Sequence, residues 1–274
     1  MAILSSSVLL PFFLLSALAS ASPRPETRAV SDASLTDVST AFSKAGIVPG
    51  LVPVFNPTGL LDVVFTDGTT QKAVNATPGT NLTMQQTADE PKFVLTVSNT
   101  TTASTAEFVI ALVDPDAPTP QNTSLGQFRH FLGAGYRWSA DTGVLTNSTA
   151  APTEWFSPAP PAGSDPHRYL VLAYVQPDDF ASKVSSILNA TTPRTNFNVT
   201  AFSNTLGLGA PFAGTFFITG PDSTPTSSAP SSAASSGASA SASATPQGSG
   251  ATALHSQLTV TGAFAAIMAM YFLK

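Results

Sequence analysis

Two histidines and two aspartates occupy the positions of this chain where chemistry is most easily built. The chain has three histidines, and His255 lies near its C-terminus, so the central region holds only His130 and His167. Asp114 and Asp116 belong to Asp114-Pro115-Asp116-Ala117-Pro118, which begins where an apolar run ends. His167 belongs to Pro166-His167-Arg168-Tyr169, just after Pro158-Ala159-Pro160-Pro161. Proline fixes φ and stiffens a loop. A stiff loop at a strand end can hold polar groups in the fixed geometry that binding needs. Imidazole N–H groups, a tyrosine hydroxyl and loop N–H groups together form a donor cluster suited to phosphate or carboxylate. The same Asp114, His130 and His167 also fit a two-His-one-carboxylate metal set or a general acid/base set. Isolated histidines, however, are more often structural than functional. Serines are plentiful, but no G-x-S-x-G string occurs, and no serine has a recognisable activating context. The absence of cysteine excludes thiolate zinc sites and cysteine nucleophiles.

The elements that must position these groups are mostly strands. Phe93–Val97, Phe108–Val113, Phe128–Leu132, Tyr136–Trp138 and Thr215–Ile218 read as strands, as does Leu60–Phe65, which ends at Asp67-Gly68. Arg168–Val175 is apolar on both faces and reads as a central strand. Helical spacing runs through Leu35, Val38, Ala41, Phe42 and Ala45, with Asp32 or Ser34 as cap and Gly46 beyond the end. A second helix is expected over 179–188. Pro49, Pro53 and Pro57 exclude regular structure between the first helix and the first strand. Short strands, Pro/Gly/Asn loops and two modest helices indicate an all-β-rich antiparallel sheet or sandwich.

The ends of the chain carry other signals. Residues 1–21 hold an apolar run too short to span a bilayer, then small residues, and read as a signal peptide; a signal anchor is the alternative. Residues 32–220 are one domain. Residues 221–249 are almost all Ser, Ala, Thr, Pro and Gly, which suits an O-glycosylated stalk or a plain flexible linker. Residues 250–274 follow the small-residue, spacer and apolar-tail layout of a GPI-attachment signal, with Ser249 as the attachment residue. A single membrane span is the alternative. Sequons at Asn75, Asn81, Asn99, Asn122, Asn147, Asn189 and Asn198 mark expected N-glycans. With 11 basic and 16 acidic residues, the chain offers no basic patch for nucleic acid.

Leu112-Val113-Asp114-Pro115-Asp116-Ala117-Pro118, then Arg129-His130-Phe131-Leu132, then Pro160-Pro161 through Pro166-His167-Arg168-Tyr169, resemble the two signature regions of the phosphatidylethanolamine-binding protein family. Arg194-x-x-Phe197 and Pro211–Phe217 resemble that family's closing segments. The resemblance covers about Asp32 to Thr219. It implies a large central antiparallel sheet packed on a smaller one, a few peripheral helices, and an anion pocket at one end of the sheet. By that resemblance Asp114, His130, Pro160, Pro161, His167 and Tyr169 line the pocket. Asp116 braces the loop, and Ala159 and Trp155 stand at the rim. Ala159 replaces a glycine common in the family. Arg129 stands where animal members tend to have a second histidine, and is expected to face away from His130. The implied function is a secreted, cell-surface binding protein for a phosphate-like anion or phospholipid head group, without catalysis and without a cofactor. Inhibition of a serine carboxypeptidase, as in some fungal relatives, is the alternative, and a metal-dependent enzyme ranks last.

Overall fold

The computed structural model describes residues 30–189 and 191–222. The expected leader, nearly all of the expected stalk and the expected attachment signal lie outside them. The first element is helix α1 (Asp32–Lys44). Its cap is Ser31, whose hydroxyl accepts from Ser34 N, with Asp32 in the first turn and Lys44 in the last to match the helix dipole. Gly46, at φ +68°, takes the left-handed conformation that ends it.

Nine strands follow: β1 (Gly59–Thr66), β2 (Ala73–Ala76), β3 (Thr80–Leu82), β4 (Lys92–Val97), β5 (Glu107–Asp114), β6 (Phe128–Trp138), β7 (Val144–Thr146), β8 (His167–Val175) and β9 (Ala213–Thr219). Helix α2 (Thr100–Thr105) precedes β5, and α3 (Phe180–Ile187) and α4 (Val199–Leu206) lie between β8 and β9. The strands form one hydrogen-bonded sheet in the order β2-β1-β4-β7-β6-β5-β8-β9-β3. Every pairing is antiparallel except β3 with β9.

The sheet folds back on itself to make two layers. Phe65 of β1 meets Phe217 of β9 edge to face, and Phe93 of β4 stacks on Phe131 of β6. Those rings belong to an inner cluster shared by both layers. The opposite face of β5, β6, β8 and β9 is covered by helices, through Phe42 of α1, Phe180 and Val184 of α3, and Val199, Phe202 and Leu206 of α4. Strand β5 is therefore buried on both faces. Phe108, Ile110 and Leu112 join the inner cluster, and Val109, Ala111 and Val113 the outer one. Period-two alternation explains this division, and burial of both faces explains why the run is apolar throughout.

One irregularity positions the site. Leu112 pairs with Phe131, but the next residue, Val113, pairs with Arg129. His130 is the extra residue of a β-bulge on β6. A bulge breaks the alternation and re-aims a side chain. Arg129 turns to the outer face, with its guanidinium over the Phe197 ring at 5.0 Å. His130 turns to the inner side, with its ring 5.2 Å from Tyr169.

Candidate functional site

Strands β6, β5 and β8 are neighbours in the sheet, and the start of β6, the end of β5 and the start of β8 meet at one end. This brings together His130, Asp114 and His167. All three are 1–3 % exposed, as are Asp116 and Tyr169. Buried polar groups require partners, and the partners define the chemistry.

Asp114 Oδ1 accepts from Asp116 N at 2.7 Å, and its Oδ2 lies 2.8 Å from His167 Nδ1. A carboxylate only accepts, so His167 Nδ1 carries the proton. The far nitrogen, His167 Nε2, is 2.9 Å from Ser164 Oγ. His130 Nδ1 sits 2.7 Å from the carbonyl of Phe156, so it too is a donor. Phe156 N donates back to His130 O at 2.9 Å, which closes a two-point clamp on the residue. His130 Nε2 then points at Asp114 Oδ2 across 3.9 Å, too far for a hydrogen bond. Burial pushes the His130 pKa down to about 4, and the nearby Asp114 only partly offsets it. With its proton on Nδ1 and its pKa held low, the neutral ring leaves Nε2 as an acceptor.

The supporting shell is rigid. Asp116 does not reach toward the histidines. Its Oδ2 accepts from Arg168 N (2.8 Å) and Nε (2.9 Å), and its Oδ1 from Arg168 Nη2 (2.7 Å). Arg168 Nη1 donates to Ala45 O at 2.6 Å, which ties the site to the end of α1. Such a two-pronged pair fixes orientation as well as charge. Arg194 Nη1 donates to the carbonyls of His130 and Glu154, both at 3.0 Å, and its guanidinium lies 5.4 Å from the Phe156 ring centre. Arg129, on the other face, donates through Nε to Thr153 Oγ1 at 2.7 Å.

The remaining expected residues are placed as follows. Tyr169 is fully buried and stacks between His167 and Phe217. In the loop before His167, Pro160 is buried, Pro161 half-buried and Ala159 exposed. Trp155 packs on Phe65 and Phe131, and its Nε1 donates to Ala88 O at 3.2 Å, so it belongs to the inner cluster. Phe156, the next residue, is the one in contact with His130.

Ser164 carries no signal in the sequence beyond lying three residues before His167. With it, Ser164–His167–Asp114 has the connectivity of an acyl-transfer triad. Such a triad also needs N–H donors for the oxyanion. Ser164 N is bonded to Pro161 O at 3.0 Å, and Pro158, Pro160, Pro161 and Pro166 have no N–H. Among the described residues, no group of three or more His, Cys, Asp or Glu is arranged to hold a metal ion.

The chain as a whole is similar to known proteins. The family model for phosphatidylethanolamine-binding protein matches residues 66–217, more than half of the chain. The chain belongs to the phosphatidylethanolamine-binding protein family. Among curated relatives, it is 29% identical over 177 residues to a 26 kDa secreted antigen of Toxocara canis, covering 64% of this chain and 62% of the antigen. It is 26% identical over 205 residues to the carboxypeptidase Y inhibitor of Saccharomyces cerevisiae, covering 62% of this chain and 90% of the inhibitor. The match to the antigen thus spans less than two thirds of that relative's length. Among solved structures, the carboxypeptidase Y inhibitor, in complex with its cognate proteinase, aligns at a TM-score of 0.57 with 21% identity, over 68% of this chain and 96% of that one. A phosphatidylethanolamine-binding protein from Plasmodium vivax aligns at 0.54 with 13% identity, over 66% and 96%. These two likenesses bear on the fold alone.

Proposed function

We propose that this protein is a non-catalytic binding protein whose polar site, at the joined ends of β5, β6 and β8, takes a phosphate-like anion or a phospholipid head group. One observation carries the reading. Three strands deliver Asp114, His130 and His167 into a single buried network that is held rigid from behind by the Asp116–Arg168 pair. Preorganisation of this kind suits binding. The end segments of the sequence support export and a GPI-anchored place at the cell surface. The sequons support glycosylation, since six of the seven asparagines are exposed and Asn147 is half-buried.

Isothermal titration of residues 22–220 with phosphate and phosphoethanolamine tests the reading. Saturable binding is expected in the wild type and a loss of at least about tenfold in His167→Ala, with circular dichroism confirming that the variant is folded. Wild-type affinity retained in a folded His167→Ala would remove that residue from the site. A second reading is inhibition of a serine carboxypeptidase, supported by the match along 90% of the yeast inhibitor. The same titration with a secreted serine carboxypeptidase separates the two. Tight binding unaffected by His167→Ala would place the active surface outside the pocket.

A further inference from the structure

One sequon differs from the others in its surroundings. Asn75, Asn81, Asn99, Asn122, Asn189 and Asn198 are exposed, and Asn147 is half-buried. Asn147 stands in the wall of a cleft of about 500 Å³ bounded by β4, β6 and β7. Phe93, Phe131, Tyr136 and Leu145 are buried at its base. Val144 and Ala151 line it half-buried, and Glu90 and Lys92 line it exposed. This is the place where β7 joins the two layers of the sheet.

The turn at Asn147 fixes the direction of its amide. Asn147 Oδ1 accepts from Thr149 N at 2.6 Å. Thr149 Oγ1 lies 2.8 Å from Asn147 Oδ1 and 3.0 Å from Ala134 O, two acceptors that share its one proton and fasten the sequon to β6. Asn147 Nδ2, the atom that carries a glycan, has no protein partner among the described residues. The one fully buried side-chain nitrogen or oxygen without a partner there is Thr219 Oγ1, so Nδ2 is not sealed from solvent. Asn189 makes the same turn, its Oδ1 2.9 Å from Thr191 N and 2.7 Å from Thr191 Oγ1, but in the open.

The cleft offers what a sugar can use. Its volume falls within the roughly 300–1,000 Å³ of sites that hold small organic molecules. Glu90 Oε1 accepts from Tyr136 OH at 3.2 Å, and Oε2 has no bond among the described residues. Neither Glu90 nor Lys92 enters an ion pair there. Burial raises the Glu90 pKa, as befits a carboxylate short of donors. Sugar hydroxyls donate to a carboxylate and accept from an ammonium, while the C–H faces of the ring cover Val144 and Ala151. A glycan attached at the wall is presented at an effective concentration in the millimolar range. It therefore fills the cleft ahead of free molecules of the same chemistry.

We infer that the glycan on Asn147 docks into this cleft and covers the junction of the two layers, whereas that on Asn189 stands in solvent. This rests on the glycosylation reading above and is independent of the anion site. The test uses the full chain, expressed in a glycosylating eukaryotic host and isolated without denaturation. It is treated with a peptide N-glycosidase, which leaves aspartate where it removes a glycan, and mass spectrometry follows each site in time. Release at Asn147 is expected to be at least about tenfold slower than at Asn189, as for a docked state whose open form is populated at about 10% or less. After denaturation the two sites should be released alike. Glu90→Ala removes a hydrogen-bonding partner of the sugar and leaves the turn intact, so it is expected to speed native release at Asn147 at least about fivefold and leave Asn189 unchanged. Equal native rates at the two sites in the wild type would overturn the inference. Protection that survives Glu90→Ala undiminished would overturn it too, because the turn alone would then shield the linkage. An Asn147 that carries no glycan would instead remove the glycosylation reading at that position.

Discussion

At the residue scale, the chain shows how little of a side chain's role lies in its type. Two aspartates two residues apart take opposite tasks. Asp114 closes a network with His167, and Asp116 is committed to Arg168. Two histidines likewise differ, because one rests on a carboxylate and the other on a carbonyl. The buried, neutral state of His130 has a measurable consequence. Its folded pKa, about 4, lies below the unfolded value of about 6.5. Between those values the unfolded chain binds a proton that the native state does not. Stability therefore falls as pH drops from about 6.5 to 4, by on the order of 3 kcal/mol across the window. Urea unfolding at pH 7 and 4.5 should show a larger loss for wild type than for His130→Gln, which subtracts the contribution of every other group. Equal losses in the two proteins would mean that the ring is not held neutral. The sequence located Asp114, His130 and His167 through their proline-rich surroundings. It did not reveal that His130 presents a lone pair, because the carbonyl that fixes its tautomer lies 26 residues away.

At the scale of elements, the long apolar runs were legible and the short or interrupted ones were not. The expected strands around Leu60, Phe93, Phe108, Arg168 and Thr215 and the expected helices near Asp32 and Asp179 all form. Strands β2, β3 and β7 have three or four residues, too few to display alternation. Helix α4 had its signals, with Asn198 capping Ala201 N and Gly207 in the left-handed region. Val, Thr and Asn are weak helix formers, and they hid it. Strand β6 reads as two strands separated by Gly133-Ala134-Gly135, yet it runs unbroken from Phe128 to Trp138. Gly133 is there for space. A Cβ on it would lie 2.6 Å from Tyr136 Cε2 and 2.7 Å from Phe131 Cζ. Gly133→Ala is expected to destabilise by about 1–3 kcal/mol through overpacking of the inner cluster. A variant that melts within one degree of wild type would show that the rings move aside freely.

At the scale of the whole molecule, the expected large and small sheets are present as two layers, but they are one continuous sheet. Strand β7 makes the junction by pairing with β4 on one side and β6 on the other. The sheet's two outermost strands, β2 and β3, are short, and each carries a sequon asparagine, Asn75 and Asn81, both exposed. Exposed edges invite pairing with other chains, and bulky or charged groups on them prevent it. Glycans at these two positions would shield both edges. The doubly substituted Asn75→Gln, Asn81→Gln protein, secreted from a glycosylating host, is expected to scatter light at lower temperature on heating than one altered at Asn99 and Asn189. Equal behaviour of the two would confine these glycans to solubility in general.

The sequence by itself determined what is local or repetitive: the β-rich class, the buried character of β5 and β8, and which residues the prolines hold at strand ends. These follow from apolar periodicity and fixed φ angles, which act over a few residues. Only the tertiary structure decided how those residues face one another. The bulge that turns His130 inward exists because two strands differ by one residue in register. The same long-range pairing places Asp114 on His167, 53 residues apart, and Phe156 on His130. No short window of sequence contains both sides of such a contact.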